Sequence, residues 1–205
     1  MDYTPYIETA KREASVDPAH DFLHVQRVYN HAKLLLQTEQ ADEDVVLVSV
    51  LLHELFNYPK GHPESHLSGD VCAERAEVVL HEQGFPAEKI PHVLDCIRNH
   101  SFSKGVMPAT IEGKLVQDAD RLDSLGAIGI ARCFATCAEM ERPFYEPGDP
   151  FSRKRKPNDK EYGLDHFYVK LLKIADRMHT EAGRRIAKER TRFMELYLSQ
   201  LKQEI

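Results

Sequence analysis

Along most of the chain, apolar residues recur at three- and four-residue spacing, the period of a helix resting on a core. Over residues 21–37 the stripe consists of Phe22, Val25, Val28, Leu34 and Leu35. Asp17-Pro18 just upstream reads as a helix start, because a first-turn proline has no needed N–H to lose. Residues 42–56 hold the run VVLVSVLLHELF, apolar on nearly every side. Its valines would suit a strand. Its length, and the acids Asp42, Glu43 and Asp44 at its start, favour a buried central helix. Pro59, Gly61 and Pro63 then break the chain.

Further helices are expected over residues 67–83, stopped by Gly84 and Pro86, and over 87–100. Residues 101–109 read as a loop. A helix resumes at Ile111, with Gly113, Gly126 and Gly129 weakening its continuity. Residues 141–163 form the clearest irregular stretch, with Pro143, Pro147, Pro150, Pro157 and the basic run Arg153, Lys154, Arg155, Lys156. A loop this long inside a domain suggests a lid or a mobile segment. The basic run reads first as solvated loop charge, and second as a lid contact to phosphates. From residue 164 onward one or two long helices are expected. Phe167, Leu171, Leu172 and Ile174 form one stripe, and Ile186, Phe193, Met194, Leu196, Tyr197 and Leu201 another. Gly183 is the expected kink or break. The fold expected is all-α, a single helical domain over 1–205 with long C-terminal helices.

Composition narrows the function. No run of about 18 apolar residues exists to span a membrane. The N-terminal segment has no apolar signal core and is too acidic for a transit peptide, so a cytoplasmic location is expected. The net charge of -6 argues against a nucleic-acid polymer as partner, though one local site could still hold a small anion. Cys72, Cys96, Cys133 and Cys137 contain no CxxC pair and read as free, mostly buried thiols.

The chemistry concentrates in three segments: HDFLHVQRV with His20, Asp21, His24 and Arg27; LLHELFN with His53, Glu54 and Asn57; and VQDADRLDSLGAIGIAR with Asp118, Asp120, Arg121 and Asp123. His100 stands apart in RNHSF. His53 and Glu54 are adjacent, about 100° apart on a helix, so both reach one ion only near a helix end. A carboxylate and an imidazole buried together need a counter-charge, which a divalent cation supplies. Three aspartates within six residues of a buried-looking helix need the same, or a cation such as Arg121 or Lys114. A mixed nitrogen and oxygen donor set suits Mn²⁺, Fe²⁺, Co²⁺, Ni²⁺ or Zn²⁺ better than Ca²⁺, with Mg²⁺ also compatible. Any one histidine has a plainer reading as a packing or surface residue, and His31, His81, His92 and His179 are read that way. His62 and His66 lie near the ligand segment without a motif of their own.

In order and context these segments resemble the HD-domain metal-dependent phosphohydrolase superfamily. Its pattern is a histidine on one helix, a His-Asp pair ending a buried helix, and a later aspartate. The matching positions are His24, His53-Glu54 and Asp120. HDFLHVQRV, IRNHSF, EGKLVQDADRLDSLGAIGIAR and DHFYVKLLKIADRMHT further resemble a bacterial-type subgroup that includes nucleotide pyrophosphatases. The resemblance implies one divalent cation held by His24, His53, Glu54 and Asp120. It implies proton handling by Asp118, Asp123 or His100, and phosphate contact by Lys114, Arg121 and Arg27. The implied substrate is a small phosphorylated molecule, a nucleotide foremost.

Glu54 departs from the family pattern by one methylene, and Asp118 competes with Asp120 as ligand. The departure leaves open a working site of altered geometry, a weakened one, or a non-catalytic metal- or ligand-binding protein. A di-iron oxygenase would need more ligands than these segments offer. The C-terminal stripes could serve a homodimer as well as a core.

Overall fold

A computed structural model describes residues 1–15, 20–59 and 62–205. Asp17-Pro18 and Gly61, expected as a helix start and a breaker, lie outside them. All regular structure among the described residues is helical. The chain forms two compact units, Met1–Asp120 and Arg121–Ile205.

The first unit is built on a helix with no polar face. Its helices are α1 (Thr4–Arg12), α2 (Phe22–Leu36), α3 (Glu43–Leu52), α4 (Ser68–Glu82), α5 (Ile90–Asn99) and most of α6 (Ile111–Leu122). Every residue of α3 from Val45 to Leu52 is buried, and α1, α2 and α5 pack around it. Each fully buried leucine there contributes about 1.5–3 kcal/mol of transfer free energy. Asp42 caps α3 by accepting the Val45 N–H at 3.3 Å, and Lys89 holds that carboxylate at 2.7 Å. The helix ends at Leu52, four residues before the expected 56, with His53 as its C-cap.

Helix α1 was not legible as a stripe. Only Tyr6, Thr9 and Ala10 of it are buried, among charged neighbours, and Pro5 occupies its first turn. The expected loop 101–109 contains one 3₁₀ turn, Phe102–Lys104, closed by Gly105 in the left-handed region at φ 69°.

The second unit contains the end of α6, then α7 (Gly126–Glu139), α8 (Asp165–Val169) and α9 (Glu181–Glu204). One expectation fails here. The chain after residue 164 is not continuous helix: α8 is a single short turn, followed by 3₁₀ turns Leu171–Lys173 and Ala175–Arg177. An i,i+3 apolar spacing satisfies a 3₁₀ turn as well as an α-helix, so the stripe could not distinguish them. The break falls before Thr180, whose hydroxyl accepts the Gly183 N–H at 3.0 Å and caps α9. Gly183 therefore sits in the first turn of a continuous helix.

The inward face of α9 runs through Gly183, Ala187, Thr191, Met194 and Leu198. Phe193 and Leu196, part of the apolar stripe read from the sequence, stand 48% and 66% exposed. Small residues form much of the true face, which left the bulkier residues to suggest a false one.

Residues 141–163 hold no helix, as expected, but they are tied down. The buried Asp165 carboxylate accepts both Arg155 Nη groups at 2.5 and 2.7 Å, the Ser152 hydroxyl at 3.0 Å and the Asn158 N–H at 2.6 Å. Asp149 accepts the N–H groups of Arg153, Lys154 and Arg155. The basic run is thus divided: Arg155 turns inward, while Arg153, Lys154 and Lys156 stay exposed. The four cysteines are free thiols, and burial pushes Cys72 and Cys96 up to about 12. No helix among the described residues is long and apolar enough to cross a membrane.

Candidate metal centre

The first unit brings together two helix ends that the sequence places far apart. Asp21 caps α2, accepting the His24 N–H at 2.9 Å, and this sets His24 in the first turn. His24 is fully buried. Because α3 stops at Leu52, His53 and Glu54 occupy a turn, where two neighbouring side chains can aim at one point.

His53 Nδ1–H donates to the Val50 carbonyl at 2.7 Å. A carbonyl only accepts, so this bond fixes the tautomer and leaves the Nε2 lone pair available. Burial pushes the His53 pKa down to about 4, so the ring is neutral, the form in which imidazole ligates metals. Its Nε2 lies 3.3 Å from His24 Nε2.

Two carboxylates complete the cluster. Asp120 Oδ1 is 3.6 Å from His24 Nε2. Glu54 Oε1 is 3.7 Å from His24 Nε2 and 3.9 Å from His53 Nε2. Burial opposes the charge of Glu54, but the hydrogen bond from His20 and the surrounding imidazoles outweigh it. The net effect holds the carboxyl well below the usual range. Among the described residues, three overlapping groups have donor atoms within 4.8 Å of one another: His20, His24 and Glu54; His24, His53 and Asp120; His53, Glu54 and His100.

These separations fit a shared cation. With bonds of about 2.1 Å, neighbouring ligand atoms stand about 3.0 Å apart at octahedral angles and about 3.4 Å apart at tetrahedral ones. The distances of 3.3 to 3.9 Å start at the tetrahedral spacing and exceed it by up to about 0.5 Å, a contraction that a bound cation would supply. Two imidazoles and two carboxylates also match the donor preference of a first-row divalent ion, whose charge would offset both acids. The extra methylene of Glu54 does not carry its oxygen out of the cluster.

Other expected residues fall variously. His100 is buried beside His53, with ring centroids 5.0 Å apart, and its Nδ1–H donates to the Ile97 carbonyl at 2.6 Å. Asp118 is fully buried on α6 but belongs to none of the three groups. Two residues along a helix turn through about 200°, so Asp118 and Asp120 cannot share one target. Arg27 follows His24 by one turn on α2, and Lys114 is half-buried on α6. Within the second unit, Asp123 accepts from Arg132 Nη1 at 2.8 Å. There too, Arg121 Nη1 donates to the Arg177 carbonyl at 2.6 Å and to His179 Nε2 at 2.9 Å.

His31 is a packing histidine, its Nδ1 3.2 Å from the Ala119 carbonyl. His62 stacks on Tyr58 and His66 pairs with the Pro63 carbonyl, outside the three groups. The residue that sequence reasoning left without a role is His20. The available signal was its place four residues before His24. Its partner, Glu54, is 34 positions away.

The HD domain family model matches residues 22–125. YpgQ of Bacillus subtilis, itself uncharacterised, is 34% identical over 192 residues, covering 91% of this chain and 84% of that protein. A crystal structure of YpgQ in complex with ADP has a TM-score of 0.74 at 32% identity, covering 98% of this chain and 95% of that one. An HD-superfamily hydrolase from Bacillus thuringiensis has a TM-score of 0.75 at 36% identity, with the same coverage of both chains.

Proposed function

This chain belongs to the HD-domain family, and on that premise we propose that it is a metal-dependent phosphohydrolase acting on a nucleotide, cleaving a nucleoside triphosphate to monophosphate and pyrophosphate. The observation that carries the reading is the approach of His53 Nε2, Glu54 Oε1 and Asp120 Oδ1 to the buried His24 Nε2, at 3.3, 3.7 and 3.6 Å. The ADP bound to YpgQ supports a nucleotide as the substrate class.

The four residues would hold one divalent cation, Mn²⁺, Fe²⁺, Co²⁺, Ni²⁺ or Zn²⁺, with Mg²⁺ compatible. Such an ion, when bound, polarises phosphoryl oxygens and lowers the pKa of water. The protein's own part is to keep His53 in one tautomer through Val50 and to keep Glu54 ionised. His100 would manage the proton, and Lys114 and Arg27 would meet phosphate charge.

The test is turnover of a nucleotide panel by metal-loaded protein beside His53→Ala. Turnover that survives the substitution removes this mechanism. Glu54 in place of aspartate favours a second reading, a binding protein that kept the fold. Protein with no stoichiometric transition metal after soaking in Mn²⁺ or Ni²⁺ would favour that reading instead.

A further inference from the structure

We propose that His20 is a positioning residue of the metal centre, its Nδ1–H holding Glu54 Oε1 so that the longer carboxylate faces His24 and His53. The inference rests on the proposed metal-site reading and extends it to a residue outside the family's ligand pattern.

Glutamate carries one more rotatable bond than the aspartate usual at this position, so its carboxylate needs fixing from outside. Both oxygens of Glu54 are fixed. His20 Nδ1 is 3.1 Å from Oε1, and Asn57 Nδ2 donates to Oε2 at 2.9 Å. A carboxylate oxygen has two lone-pair directions. With one of them on His20, Oε1 keeps the other for the side where His24 Nε2 and His53 Nε2 lie, at 3.7 and 3.9 Å.

The placement of His20 suits this task. It sits immediately before Asp21, the cap of α2, so the element that carries the ligand His24 also carries the clamp on Glu54. Its ring meets that of His24 edge-on at 5.9 Å. Its side chain is 25% exposed, against 0% for His24 and 7% for Glu54, so it closes the cluster from the solvent side. Hydrogen-bond partners of metal ligands fix ligand orientation and commonly govern affinity.

The experiment is Mn²⁺ titration by calorimetry, with thermal melting of the chelated proteins as the check on folding. His20→Ala should weaken Mn²⁺ binding by about 10-fold or more, while the chelated protein keeps a single cooperative melting transition that shows it folded. His20→Asn, which places an amide N–H near the former Nδ1, should recover most of the affinity. If His20→Ala fails to fold, His20→Phe keeps the ring volume without the donor and is read in the same way. In a Glu54→Asp background the shorter carboxylate no longer reaches residue 20, so His20→Ala should have no further effect.

Wild-type affinity in His20→Ala overturns the proposal and leaves the metal site standing. Equal losses in both backgrounds also overturn it, because His20 would then act independently of Glu54, as a direct ligand does. A wild-type protein that binds no Mn²⁺ overturns this proposal and the metal-site reading together.

Discussion

His24 and His53 face each other through their Nε2 atoms at 3.3 Å, although 29 residues separate them. Nitrogen to nitrogen at this distance, with one ring fixed as an acceptor, is a weak way to satisfy two buried imidazoles. Between two ligands of one cation it is an ordinary spacing. Removing one ring should therefore remove the ion. His53→Ala is expected to lose stoichiometric metal and to lower kcat/KM by more than the about 10–100-fold typical of an outer partner. Metal analysis and steady-state kinetics on the same preparation check both.

Binding of a cation to the folded state alone must raise stability. Mn²⁺ at about 100 times its Kd should add about 2.7 kcal/mol, and a chelator should reverse the gain. Thermal melts across a metal titration read it directly. A melting temperature indifferent to every transition metal tried would contradict the centre.

The loop of the second unit has its own electrostatic anchor. Burial raises the Asp165 pKa, but Arg155, the Asn158 N–H and Ser152 outweigh it and leave the value lowered. A depressed carboxylate contributes stability that is present above its unfolded value of about 3.9 and is lost as pH falls through the folded value. Asp165→Asn should cost about 2–3 kcal/mol at neutral pH, a difference that shrinks at acid pH below about 4. Urea denaturation at both pH values measures it. Faster amide exchange at Asn158 is expected alongside.

Close packing of α4 on α5 depends on a missing side chain. A Cβ built on Gly69 would stand 2.5 Å from the Arg98 carbonyl oxygen. That neighbour is backbone and cannot swing aside. Gly69→Ala should destabilise the first unit by about 1–3 kcal/mol despite alanine's better helix propensity. Chemical denaturation of the variant checks the sign, and a stabilised variant would contradict this packing.

The parts legible in the sequence were those written in a local period or a dense motif. Helix α3 declared itself through an unbroken apolar run under three acids, and α2 through its stripe. His24, His53 and Asp120, which the structure gathers, stood in the HDFLH, LLHELF and DADRLD segments. Local spacing could not separate α8 and its 3₁₀ turns from a long helix, because Phe167, Leu171 and Ile174 suit either. It missed the true face of α9, since Gly183, Ala187 and Thr191 carry little hydrophobic signal. It gave His20 no role, because the reason for that residue is a carboxylate reached only after folding.

The central claim is that His24, His53, Glu54 and Asp120 hold one catalytic divalent cation. Anomalous diffraction at the manganese edge, from crystals grown with Mn²⁺, tests it most directly. One strong peak within about 2.4 Å of His24 Nε2, His53 Nε2, Glu54 Oε1 and Asp120 Oδ1 is predicted. No peak there, or a peak ligated by Asp118 with Glu54 turned away, would contradict it.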